Sequence, residues 1–246
     1  MEIHRPKPVH DWRELLKEIG IIVIGVLIAL GAEQAVETLH WRHRIHDAVD
    51  AMRLELRYDD GPQGFIRVAA ETCFAQKLDA IQDAVEAGKD RREIAALIAA
   101  YRPLIRTWDA EAWTAAVASG VGGHVRADQM VDWSKPYRTI PALQAVNSQE
   151  RDDWISLQPR RRSAGRLSRG EEDAMLAAVQ RLRKENLEMA RLARTQAYGL
   201  EKYGMGLLPD EQARLLAGLR TQYGDCVIVP STAGVRPDDP LRDLQR

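Results

Sequence analysis

Met175-x-x-x-Val179-x-x-Leu182-x-x-x-Asn186-x-x-Met189-x-x-x-Ala193-x-x-Gln196-x-x-x-Leu200 reads as one face of a long helix. The spacing alternates between four and three for over three heptads, the pattern of a packing seam. Ser168-Arg169-Gly170-Glu171 just ahead has capping-box spacing, so the helix is expected from about Arg169 to Tyr203. Elsewhere, Val, Thr and aromatic alternation is scarce while Ala, Leu, Arg and Glu abound. Helix is therefore the expectation throughout.

Working outward, Asp59-Asp60-Gly61-Pro62 reads as a turn, with Pro62 opening a helix that runs to about Ala87. Phe74, Leu78, Ile81 and Val85 give that helix its apolar face, and Gly88 is its C-cap candidate. Shorter helices are expected from about Asp90 to Ala100, Asp109 to Ser119 and Pro209 to Leu219. A longer one, with kinks at Pro136 and Pro141, is expected from about Ala127 to Leu157. Cys226-Val227-Ile228-Val229 is the single strand-like run, and from Pro230 onward Pro, Gly and Asp predict a flexible tail, residues 230–246.

Near the N-terminus, Ile19 to Ala32 is a run of 14 residues without a charged or polar side chain, bracketed by Glu18 and Glu33. A bilayer core of roughly 30 Å asks for about 20 apolar residues. The flanks Leu15, Leu16, Ala35, Val36 and Leu39 extend the run, and Lys17 can snorkel. Trp12 and Trp41 stand 29 residues apart, or about 43 Å of helix, and are expected at the two membrane interfaces. A cleaved signal peptide is the alternative, because Ala29-Leu30-Gly31 places small residues at −3 and −1. An 18-residue leader with Glu2, Asp11, Glu14 and Glu18 beside its Lys and Arg favours a retained anchor. Residues 1–18 carry Arg5, Lys7, Arg13 and Lys17, and residues 33–50 only Arg42 and Arg44. That bias predicts a short cytoplasmic N-terminus, a transmembrane anchor over 19–39 whose helix continues to about 57, and an extracytoplasmic part from 58 to 229. The expected fold is all-α, an antiparallel helical bundle on a single N-terminal transmembrane helix.

The 246 residues hold 35 Lys+Arg against 36 Asp+Glu, a net charge of −1. That balance argues against a strongly basic nucleic-acid binder, and two cysteines exclude a multi-cysteine zinc module. In a compartment outside the cytoplasm, Cys73 and Cys226 are expected to form a disulfide, tying the apolar run 227–229 to the helix that carries Phe74.

The run Lys17-Glu18-Ile19-Gly20-Ile21-Ile22-Val23-Ile24-Gly25-Val26-Leu27-Ile28-Ala29-Leu30, followed by a charged helix, resembles the N-terminus of a broad group of uncharacterised bacterial membrane-anchored proteins. Trp113-Thr114-Ala115-Ala116-Val117-Ala118-Ser119-Gly120, Tyr137 and Glu150-x-x-x-Trp154 are similar to stretches of their soluble parts. The resemblance spans roughly residues 11–200 through apolar spacing. It implies a Gram-negative envelope location and carries over no catalytic residue; with the Lys/Arg bias, the expectation is a bacterial inner-membrane protein, single-pass, with its C-terminal domain in the periplasm.

Candidate chemistry is sparse. His40, His43 and His46 follow the anchor, and His43 with Asp47, or His46 with Asp50, could hold a divalent metal or change charge near pH 6. His40 and His46 lie about 240° apart on a helix and cannot share an ion, so the bland reading is a polar interfacial collar. Arg160, Arg161, Arg162, Arg166 and Arg169 crowd one loop, as an anion site would, or as a solvated linker would. Gly120, Gly122 and Gly123 lack the Lys-Ser/Thr of a phosphate loop. Glu111, beside Trp108 and Trp113, is a candidate buried carboxylate. Gly25-x-x-x-Ala29 could let two anchor helices approach.

No nucleophile or metal motif appears, so the expected function is a non-enzymatic envelope scaffold or interaction module without a cofactor. Its expected partners are the lipid bilayer and a second copy or another membrane protein. The alternative is a ligand-sensing bundle that acts through a membrane partner. Two carboxyl groups within hydrogen-bond reach would favour a hydrolase instead.

Overall fold

The structure, a computed structural model, describes residues 12–158 and 165–230. Residues 1–11, the expected tail from 231 onward, and Arg160, Arg161 and Arg162 lie outside the described residues. Regular structure is entirely helical among those described. The chain divides into two compact units, Met1–Asp47 and Ala48–Arg246.

The first unit consists of most of helix α1, Trp12–Leu54. One helix near the N-terminus is long and apolar enough to cross a membrane, and none of its apolar window is buried. Ile21, Ile22, Ile24, Leu27 and Ile28 are all exposed, and Gly20, Gly25 and Gly31 have open space where a side chain would stand. Among the described residues nothing packs on this apolar surface, so the helix draws no stability from its burial there.

In the second unit the expected turn at Asp59–Pro62 is absent. The chain continues through a π-helical turn, Glu55–Asp60, directly into α2, Gly61–Ala69. The Gly61 N–H bonds to the Leu56 carbonyl, five residues back. This wider turn accommodates the Pro62 ring, which in a regular helix would meet the carbonyl four residues earlier. The helix expected to reach Ala87 is divided at Ala70 into α2 and α3, Glu71–Glu86. There the Ala69 carbonyl accepts from the Ile228 N–H at 3.0 Å, so the C-terminal run bonds to the break.

Gly88, at φ +61°, ends α3 as expected; the Gly88 and Lys89 N–H groups bond back to Val85 and Ala84 in the paired pattern of a glycine C-cap. Helix α4 (Arg91–Ala100) leads into an extended segment, 101–110, followed by α5 (Glu111–Ala118) and α6 (Ala127–Ser134). The single helix expected over 127–157 is two, because Pro136 and Pro141 frame a tight turn, Lys135–Thr139, before α7, Ile140–Leu157. Helix α8 (Arg169–Lys202) matches the quoted seam, and α9 is Pro209–Tyr223. Ser168 and Glu171 form the expected capping box. No strand forms at 226–229: Gly224–Cys226 is a tight turn and the chain then runs extended.

Helix α8 packs against α2, α3 and α7. Its seam residues Val179, Leu182, Met189, Ala193 and Leu200 are buried. One cluster gathers Phe74, Leu78 and Ile81 of α3, Ile94 and Ile98 of α4, and Tyr101 against Val179 and Leu182. Another sets Phe65 and Ala69 against Leu216, Leu219 and Val227. Cys73 and Cys226 are joined within it, with Cα atoms 5.0 Å apart. The bond closes a separation of 153 residues, worth roughly 5 kcal/mol as an upper figure in the chain-entropy account. Protein denatured from intact cells without reduction should therefore resist a maleimide gel shift and shift only after reduction. Labelling before reduction would show free thiols and contradict the pairing.

Candidate functional site

Arg67 on α2 and Glu150 on α7 are the centre of the polar interior. Their side chains are 2% and 0% exposed, and the Arg67 Nη2 donates to Glu150 Oε1. Phe74 lies beneath the guanidinium at 5.1 Å from ring centre, adding a cation–π contact. The match is incomplete: Arg67 Nε and Nη1, Glu150 Oε2 and the Tyr101 hydroxyl find no hydrogen-bond partner among the described residues. Burial pushes the Tyr101 hydroxyl well above its ordinary range, and the nearby Glu150 charge adds to that.

A groove of about 430 Å³ runs between α7 and α8. Gln149, Asp152 and Asp153 line one side, and Arg181, Lys184 and Glu185 the other. Arg181 Nε donates to both Asp153 oxygens at 2.9 and 3.0 Å. Burial alone would raise the Asp153 carboxyl, but Arg181 and a bond shared with Glu185 outweigh it and hold it below the usual range. Glu185 goes the other way. It is 8% exposed, and burial, the bond with Asp153 and the charges of Asp153 and Glu150 push it up to about 8. Burial and the neighbouring Asp153 charge thus favour the protonated form of Glu185. Asp153 and Glu185 are two carboxyl groups within reach of one another, and Arg181 engages both oxygens of Asp153.

The π-helical turn carries a second polar centre. Asp60 is 0% exposed, and Glu55 is nearly as buried. Glu55 Oε2 accepts from the Ala112 N–H at 2.8 Å and so caps the N-terminus of α5. Asp60 Oδ1 accepts from the Asp109 N–H at 3.4 Å. Glu111 was the candidate buried carboxylate here, but it is exposed; the buried acid that meets α5 comes from residue 55, far away in sequence. Trp113 does not sit over Glu111 either, and stacks on Tyr137 at 5.8 Å.

The remaining sequence candidates lie apart. His43, His46, Asp47 and Asp50 all lie on α1, where Asp50 pairs with Arg53. Among the described residues no group of three or more such side chains is placed to hold a metal ion. The Arg166 guanidinium lies against Gly88 at the end of α3, and Arg169 is exposed at the start of α8. The residues that sequence reasoning missed are Arg67, Glu150, Glu55 and Asp60. Arg67 left one signal, a lone charge inside the apolar run Phe65-Ile66-Arg67-Val68-Ala69.

Removing one partner of a buried ion pair strands the other charge, a loss of about 3–5 kcal/mol. Glu150→Ala is expected to lower the unfolding free energy by that amount in urea melts of the full chain in mild detergent. The double replacement Arg67→Met with Glu150→Leu should recover most of the loss. A single replacement within about 0.5 kcal/mol of the parent would contradict this account of the core.

Comparison with protein-family models, with curated proteins and with solved structures found no match for this chain.

Proposed function

We propose that the chain is a single-pass protein of a bacterial inner membrane, with α1 as its anchor and the unit from Ala48 onward as a periplasmic, antiparallel helical bundle that works by interaction rather than by catalysis. The observation that carries this reading is the contrast between the two units. The apolar residues of α1 from Leu15 to Leu39 are exposed, while those of the second unit close on one another. Exposed apolar surface on that scale is stable in lipid and a liability in water. The disulfide supports an oxidising compartment, and the Lys/Arg bias supports the orientation. In the anchor, Gly25 and Ala29 offer a close approach to a second copy.

A second reading, a ligand-sensing bundle, is favoured by the α7–α8 groove, whose floor holds the Asp153–Glu185 pair. In that case the ligand would dock against charged side chains and act through a membrane partner.

Orientation is tested by fusions to the C-terminus. An alkaline phosphatase fusion to the full chain should be active, and a green fluorescent protein fusion dark. The reverse pattern would place the second unit in the cytoplasm and remove the basis of the proposal.

A further inference from the structure

Residues 108–112 are held to the π-helical turn and α2 at three points. The Trp108 ring rests near Gly64, the Asp109 N–H donates to Asp60, and the Ala112 N–H donates to Glu55. Two of these three contacts are made by buried carboxyl groups. Each of those groups also keeps one oxygen, Asp60 Oδ2 and Glu55 Oε1, without a hydrogen-bond partner among the described residues. A buried carboxylate oxygen with no donor is costly, and two in one place more so. The charges acting most strongly on Asp60 are those of Glu55 on the same turn, Asp109 on the docked segment and Asp59 next in sequence, all negative. From the Lys135–Thr139 turn the neighbouring titratable group is the Tyr137 hydroxyl, which bears on Glu55 and Asp60. From α8 the neighbour at the start of α2 is apolar, Leu200 against Gly61. Arg57, the cation of the turn itself, is bonded elsewhere, to the Gly206 carbonyl and Glu211.

We propose that Asp60 is a proton-operated latch: as a neutral acid it keeps residues 108–112 docked on the π-helical turn, and as a carboxylate facing Glu55 it releases them. A proton on Asp60 removes the second negative charge and converts Oδ2 from an unmatched acceptor into a donor. Its loss leaves a buried carboxylate on Asp60 whose one bond is the long one from the Asp109 N–H, while the cap on α5 and the Gln144 bond to the Trp108 carbonyl still hold the ends of the segment. The cheapest relief is to let water in, and the segment over the turn is short and joined at one end to the extended stretch 101–110. Burial first, then Glu55, Asp109 and Asp59, push the Asp60 carboxyl up to about 7, with only the Asp109 N–H pulling down. The sign follows: a raised carboxyl favours the docked state at low pH, and that advantage fades as pH rises from the ordinary aspartate range through about 7. Asp60 is the single aspartate among the described residues that is shifted upward.

The test is hydrogen exchange of the full chain in mild detergent at about pH 5.5 and about pH 8.5, corrected for the intrinsic pH dependence of exchange and read on a peptide spanning 108–112. Protection of that peptide should fall about tenfold at the higher pH in the parent chain, and less than about twofold in Asp60→Asn. Glu185→Gln should keep the parent's fall, since Glu185 lies in the α7–α8 groove. A parent chain with equal protection at both pH values, or an Asp60→Asn variant that falls as the parent does, would overturn the latch. If Asp60→Asn does not fold, carbon-13 NMR of aspartate-labelled parent decides: one carboxyl that titrates near neutrality supports the proposal, and none above about pH 5 overturns it.

Discussion

The buried Arg67–Glu150 pair is the constraint on which the second unit depends. It joins α2 to α7, and α8 packs against both. An arginine at this depth fixes more than its own contacts. Its guanidinium must meet Glu150 and cover Phe74 at once, which sets the approach of α2, α3 and α7 together. A buried pair of this kind adds little net stability over an apolar replacement, but it penalises every arrangement that separates the charges. The unit therefore reads as built for one register of its helices. The unpartnered nitrogens and oxygens around the pair mark where water or a small rearrangement would enter first.

Two further pairs of buried or half-buried acidic side chains lie beside this core. Asp153 and Glu185 share a hydrogen bond under Arg181, and Glu55 and Asp60 line the π-helical turn. In both pairs burial pushes one member up, Asp60 to about 7 and Glu185 to about 8.

Much of the fold was legible in the sequence because it rests on local rules. The 4-3 seam of α8 is repeated often enough to resist ambiguity, and Ser168 with Glu171 fixes its start. The disulfide was legible from an even cysteine count combined with a compartment argument. Asp59-Asp60-Gly61-Pro62 misled because its composition is that of a turn, while the tertiary contacts of Asp60 and Glu55 keep the chain helical through a π insertion. The candidate site was hardly legible at all. Its charges meet across 83 residues between Arg67 and Glu150 and 57 between Glu55 and Ala112, and no spacing rule reaches that far. Glu111 had the right neighbours in sequence, but it stands in the first turn of α5, facing solvent, while Glu55 caps that helix from below.

The central claim is that the surface of α1 belongs in lipid while the remainder folds on a core of its own. Alkaline carbonate extraction of membranes from cells that make the full chain tests it most directly. The account predicts that the chain stays with the sedimented membrane, and that replacing Ile24 and Leu27 by lysine moves it to the supernatant. A parent chain already in the supernatant would contradict the anchor.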